Sequence, residues 1–428
     1  MTYAFVLGRV YTLSLAELLA YFKTLQSPIK IVEASFELLI VETDKALDVE
    51  RFQKHLGGTI KILKIVDVVK KREQDSINFC LQNYFKPSKL KADFLKSASG
   101  KIQFGVSVYL LDPEVRAFGE PKKLGMFIKR AMQDSGASIR LVLPEFNSLA
   151  LASVVVTHNQ LLVKGAEICA LAGKDKVYIA KTLSVQDFED YGRRDYQRPS
   201  RDDRRGMIPP KVAQVMLNLS GAKPNDTLLD PFCGIGTFVQ EGALLDFKML
   251  GTDIDRQAIV GSERNLEWFR NRYKIPKGKF HVEVADAREV HKVVENLTKL
   301  KAFGKITGVV TEGTLGPVYG QFPTAHEINQ NFQDLSELYT KTFLDFNSFL
   351  GKGSKVVMCL PAYRKSGTEY VMFPNLDFAT SSGYNINSVI PQEIGLLMPF
   401  LRITPRGSII YDRKDQVVAR EIVIFEKL

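Results

Sequence analysis

Cysteine is scarce: four in 428 residues, Cys80, Cys169, Cys233 and Cys359, none close to another in the chain. That excludes a disulfide framework and a thiolate zinc site, and a reducing, cytoplasmic setting is expected. The five histidines are dispersed, so no metal and no Ser-His-Asp chemistry is expected. No apolar run approaches the roughly 20 residues that cross a bilayer. The start, Met1-Thr2-Tyr3-Ala4-Phe5, has no charged segment before an apolar core, so no secretory signal is expected. The one tryptophan, Trp268, falls inside a helical pattern and is expected to pack. Two phosphate-binding fingerprints are missing as well. G-x-G-x-x-G fails because no glycine falls three residues after Gly236, and G-K-[ST] does not occur.

What is present is ordinary for a folded protein: 45% hydrophobic and 25% charged residues. The length suits two or three domains of about 100–200 residues each. The net charge of +10 suits a polyanionic partner. The organising stretch runs from Asp226 to Asp255. Thr227–Leu229 reads as a buried parallel strand closed by Asp230, which Pro231 stops. Gly234 and Gly236 bracket a tight turn, and Thr237–Leu245 has helical spacing. A second strand, Lys248–Gly251, leads to Asp253. This is half of a mononucleotide-binding βαβ unit, in which glycines admit a ligand to the backbone and an acid can hold a ribose.

A carboxylate beside the loop repels a pyrophosphate and attracts an ammonium. S-adenosylmethionine carries an ammonium, a sulfonium and ribose hydroxyls but no phosphate. Asp230-Pro231-Phe232-Cys233-Gly234-x-Gly236-Thr237 resembles motif I of class I methyltransferases that modify exocyclic amines of RNA or DNA bases. The entry Arg193-Arg194-x-x-x-Arg198-Pro199, followed by Pro209-Pro210-Lys211-Val212-Ala213, is similar to that of tRNA guanine-N2 methyltransferases carrying THUMP domains. The resemblance implies an α/β chain ending in a Rossmann-like, seven-stranded class I sheet, preceded by ferredoxin-like and THUMP α+β domains. It implies tRNA as partner, no membrane or metal, and a monomer. The expected divisions are 1–70, 71–183, an arginine-rich linker over 184–210, and a methyltransferase domain over 211–428.

Within the first division the pattern reads βαββαβ. A helix over Leu15–Phe22 is expected to start on a Ser14/Glu17 capping box. In the second, strands are expected over Ala150–Val156 and Leu161–Ile168, joined by a hairpin at Thr157–Gln160. The linker's polarity argues against a packed element. Its Arg193, Arg194, Tyr196, Arg198, Arg204 and Arg205 are candidate RNA contacts, since arginines fork onto phosphates and tyrosine offers a face to a base. In the last division a long helix is expected over Asp334–Phe349. A hairpin of Ser408–Tyr411 with Val417–Phe425 is expected to complete the sheet.

For the donor, the candidates are Asp230, Phe232, Cys233, Gly234, Gly236 and Thr237, then Asp253 with Ile254 for the ribose, and Asp286 with Ala287 for adenine. Acids that follow consecutive strands share the carboxyl edge of an open α/β sheet. The family carries [DN]-P-P-[YFW] after its fourth strand, accepting hydrogen bonds from the target amine and stacking on the base. Here the loop reads Thr311-Glu312-Gly313-Thr314-Leu315-Gly316-Pro317-Val318-Tyr319. Glu312 takes the acid's place, the Gly313 carbonyl a proline's, and Tyr319 or Phe322 the aromatic's. The departure keeps two other readings open: a non-catalytic tRNA binder on the same fold, or a DNA amino-methyltransferase.

Overall fold

The computed structural model describes residues 1–95, 102–201, 207–367, 369–413 and 416–428. It divides into two units, 1–15 with 27–188 and 16–26 with 189–428.

The first unit carries one eight-stranded sheet. Its strands are β1 Thr2–Leu7, β2 Ile29–Ala34, β3 Leu38–Thr43, β4 Thr59–Lys70, β5 Ile102–Leu110, β6 Ile139–Val142, β7 Gly165–Ala172 and β8 Lys176–Val185. They lie in the order β2-β3-β1-β4-β8-β7-β5-β6. β1 to β4 pair antiparallel in the arrangement a βαββαβ chain makes. β5 lies parallel to both β6 and β7. β4 pairs along its length with β8, from Lys61↔Val185 to Lys70↔Lys176, which joins the two groups of strands.

Two expectations fail here. Ser14 caps nothing: the helix Tyr11–Thr24 starts before it, and its hydroxyl bonds back to Val10 O at 3.3 Å. Residues 153–158 form a helix, with no Thr157–Gln160 hairpin. Val154, Val155 and Val156 favour a strand by propensity. Yet only Val156 is fully buried, packing with Leu151 and Leu161. The true hairpin is β7–β8.

Among its described residues the second unit has nine strands: β9 Thr227–Asp230, β10 Lys248–Asp253, β11 Phe280–Val284, β12 Ile306–Thr311, β13 Lys355–Ser366, β14 Glu369–Val371, β15 Tyr384–Asn387, β16 Ile409–Tyr411 and β17 Val418–Lys427. The main order is β11-β10-β9-β12-β13-β17-β15, with β14 on β13 and β16 on β17. β9 to β13 run parallel. β17 is antiparallel between β13 and β15. The hairpin partner β16 thus sits off the main path, and the edge is β15, a four-residue strand too short to announce itself by alternation. From β9 the chain builds outward to β10 and β11, then returns to lay β12 on the other side. That reversal opens a crevice at the carboxyl ends of β9 and β12.

The helix Ala325–Phe346 starts well before Asp334. Thr324 caps it, and Glu327 bonds back to the Thr324 N–H at 2.7 Å. Its buried Tyr339, Phe343 and Phe346 meet Phe378, Tyr384 and Phe425 in an aromatic core. The expected linker is also more ordered than its polarity suggests. Phe188–Tyr196 is a helix whose inner face buries Tyr191 and Arg194. Trp268 packs beside Phe269 and Tyr273, as expected.

Candidate active site

The crevice is a cavity of about 440 Å³. The turn after β9 forms its floor. Asp230, buried at the strand's end, accepts from the Phe232 N–H at 3.2 Å and from the Thr311 hydroxyl at 2.7 Å. Gly236 holds φ +88°, and a Cβ there would lie 2.5 Å from Ser262 Oγ, so the turn admits only glycine. The helix Thr237–Leu244 starts directly after it. Asp253, at the end of β10, accepts from the Gly234 N–H at 2.9 Å and from the Asp255 N–H at 2.9 Å. The ribose candidate therefore also fastens the turn. Ile254 is exposed at the rim. Asp286 and Ala287 line the far wall. Asp286 caps its own turn, accepting from the Arg288 N–H at 2.9 Å, and the Arg288 guanidinium holds its carboxyl below the usual range.

The electrostatics of the floor are unusual. Burial is the largest cause raising the Asp230 carboxyl to about 7, with bonds from Thr311 and Phe232 opposing it and the Asp253 and Glu312 charges adding to it. A cationic ligand would reverse that penalty.

Glu312 lines the cavity's other side, just beyond β12. Gly313 follows with φ +68°, a left-handed backbone that proline, fixed near −65°, cannot take. The loop thus follows a different path from a Pro-Pro loop. The Tyr339 hydroxyl, from the long helix, donates to Thr314 O, and Asn331 Nδ2 donates to Leu315 O at 3.1 Å. Tyr319 does not line the cavity: its ring packs edge-on to Tyr363 with centroids 6.0 Å apart. The apolar residues at the wall are Leu315, Val318 and Leu338. Sequence reasoning missed Thr311, which orients Asp230, and Arg420 on β17, whose buried guanidinium pairs with Glu312. No local motif marks either residue, because strand pairing alone brings them there.

The arginine segment is split by the structure. Arg194 is buried, its guanidinium 2.8 Å from Glu241 and paired with Asp190, and it stacks over Tyr191. Arg198 is buried and donates to Thr237 Oγ1 at 2.8 Å. Both therefore serve the packing of the helix Thr237–Leu244 instead of facing a phosphate. Arg193 is half-buried and pairs with Glu189 at 2.9 Å. Tyr196 is 64% exposed, with the Arg201 guanidinium 5.4 Å from its ring centre. Arg204 and Arg205 lie outside the described residues. A second groove, of about 830 Å³, is lined by Arg201, Arg256 and Arg264. Asn265 builds it, bonding Ser200 N and O and Ile235 O at 2.8–3.0 Å. The sequence reading missed Arg256 and Arg264, one helical face apart from any motif.

Residues 198–365 match the UPF0020 family model, described as RMKL-like, methyltransferase domain. The tRNA (guanine(10)-N2)-dimethyltransferase of Methanothermobacter thermautotrophicus is 32% identical over 192 residues, 44% of this chain and 48% of that protein. Its namesake in Methanocaldococcus jannaschii is 27% identical over 301 residues, 68% of this chain and 74% of that one. A protein of Methanothermococcus thermolithotrophicus named "Probable tRNA (guanine(10)-N2)-dimethyltransferase" is 30% identical over 132 residues, 31% of this chain and 74% of its own length. The match thus spans about half of the first relative and about three quarters of the other two. Among solved structures, TrmN from Thermus thermophilus shares the fold over 100% of both chains, with a TM-score of 0.55 at 12% identity.

Proposed function

The chain belongs to the tRNA guanine-N2 methyltransferase family, and we propose from there that it methylates the exocyclic N2 amine of a guanosine in tRNA, using S-adenosylmethionine. The observation that supports this most is the convergence of five carboxylates, Asp230, Asp253, Asp255, Asp286 and Glu312, on one cavity at the sheet's switch point. A phosphate-bearing cofactor is a poor fit to that wall, and a doubly cationic one with a vicinal diol is a good fit. The cavity's size is within the range of about 300–1,000 Å³ usual for small-molecule sites. Gly234, which lines the cavity with open space where a Cβ would stand, leaves the turn's backbone accessible to the ligand's methionyl end.

When bound, S-adenosylmethionine supplies a methyl group made electrophilic by its sulfonium. The protein's own groups bind and orient. Asp230 and the backbone from Phe232 to Ile235 would hold the methionyl part. Asp253, already fastened to the Gly234 N–H, would hold the ribose hydroxyls. Asp286 and Ala287 would hold the adenine. Glu312 accepts a hydrogen bond from the target amine, and the Gly313 carbonyl offers a second acceptor. Two acceptors favour a pyramidal nitrogen, whose lone pair is then released from the guanine ring. Leu315, Val318 and Leu338 would offer the target base an apolar wall.

For the rest of the chain, the strands and helices of 71–183 are the proposed THUMP-like RNA-binding region, after a ferredoxin-like 1–70. Arg193 and Tyr196 remain proposed RNA contacts, joined by Arg201, Arg256 and Arg264. The test is to incubate an unmodified tRNA transcript with donor and weigh its nucleosides. Guanosine bearing one or two extra methyl masses on N2 is expected from the wild type. Glu312→Ala is expected to yield none while still binding donor. Unchanged turnover in that variant refutes the role of Glu312, and donor binding without any labelled nucleoside favours a non-catalytic tRNA binder.

A further inference from the structure

Glu312 reaches the cavity already engaged. On β17, Arg420 pairs across to Pro361 of β13, and its side chain is 2% exposed. Its Nε donates to Glu312 Oε1 and its Nη1 to Gln416 Oε1. The guanidinium is thus pinned at two points, and one of them is the proposed amine acceptor. Glu312 itself is 18% exposed and lines the cavity, with Oε2 making no hydrogen bond to a described residue.

An ion pair buried only for stability is weak design, because apolar residues of the same volume do as well or better. Here one partner opens onto a ligand cavity. Among the described residues, the groups that feel the Glu312 charge are acids: Asp230 on β9, Cys359 on β13 and Tyr339 on the long helix, with Tyr411 on β16 acting on Arg420. Two carboxylates in one site resist ionising together. Arg420 is the cation that answers the Glu312 charge among these acids, and a carboxylate so paired offers only acceptor oxygens, as the reaction needs.

We propose that Arg420 is a positioning residue that balances the Glu312 charge and turns its second oxygen to the cavity, ready to accept from an N–H donor. The inference rests on the reading of Glu312 as the amine acceptor. It also narrows the substrate. An acceptor clamped by a guanidinium rewards a target that brings hydrogens, an exocyclic amine, and leaves a ring nitrogen or carbonyl oxygen facing unpaired negative charge.

The test is single-turnover methylation of tRNA at saturating donor from pH 6 to 9, with Arg420→Gln and Arg420→Lys. At pH 7 the glutamine variant is expected to be slower by about 100-fold, the loss typical of a misplaced catalytic contact. Its donor and tRNA affinities should stay within about twofold, and its rate should climb with pH where the wild type is flat. Lysine, which keeps the charge, should flatten the profile again and recover part of the rate. A uniform loss at every pH, or glutamine and lysine variants that behave alike, overturns the inference. If Arg420→Gln does not fold, Gln416→Leu releases only the second pin; it should slow the reaction with donor affinity intact, and a wild-type rate in it counts against the proposal. Failure of the underlying reading looks different: Glu312→Ala then methylates normally, whatever Arg420 does.

Discussion

Asp230 shows how far a single carboxyl can be moved by its surroundings. Folded, it holds its proton to about pH 7, whereas its ordinary value is 3.8. The folded state therefore binds a proton that the unfolded chain has released across that window, and stability contributed at this site falls as pH rises through it. Asp230→Asn is expected to raise the melting temperature of the ligand-free protein at pH 8 and to leave it unchanged near pH 4, by calorimetric scan. The same proton competes with an ammonium. If only the ionised form binds donor, the apparent dissociation constant at pH 6 should be about tenfold weaker than at pH 8, by titration at fixed ionic strength. A flat profile rules out the Asp230–ammonium contact. Asp230 was legible in the sequence because a strand, a proline and two glycines announce it. Its partner Thr311 was not, since nothing near Thr311 in the chain points to Asp230.

At the scale of elements, the reading succeeded where one period dominated and failed where polar residues were being buried or where valines stood in a helix. β9, β10 and the helix between them stood out as an apolar run, a glycine turn and a helical stripe. The helix Phe188–Tyr196 did not, because Arg194 counts as polar in any pattern, yet it is buried against Glu241. Composition cannot reveal that an arginine's charge is answered 47 residues away. Arg194→Ala leaves a carboxylate buried without its main partner, and a loss of about 3–5 kcal/mol is expected in a denaturant melt. Folded Arg194→Ala should bind tRNA as the wild type does; a selective loss of tRNA affinity with normal stability would restore it as an RNA contact. Gly236→Ala is a second test at this scale. The left-handed backbone and the clash at Ser262 should disrupt the turn and lower donor affinity, and an unperturbed affinity would show that the turn does not shape the site.

For the whole molecule, charge and topology carry the argument. The excess of +10 belongs to the entire chain, and the structure locates part of it at the groove of Arg201, Arg256 and Arg264. Replacing Arg256 and Arg264 together with glutamine should weaken binding to all tRNA sequences alike and reduce the salt slope by about two. An unchanged slope would place the phosphate contacts elsewhere. The strands β9 to β13 were readable along the chain as short apolar runs, and the overall class followed from the resemblance carried by Asp230 to Thr237. The closing edge was not, because β15 is short and β16 resembles the strand that ought to stand there.

The account depends most on the cavity at the switch point being a methyl-donor site. Isothermal titration of the folded protein with S-adenosylmethionine, and with its demethylated product, tests this most directly. It predicts saturable binding at one site per chain that Asp253→Ala weakens severely. No binding of either ligand by wild-type protein that melts cooperatively would contradict it.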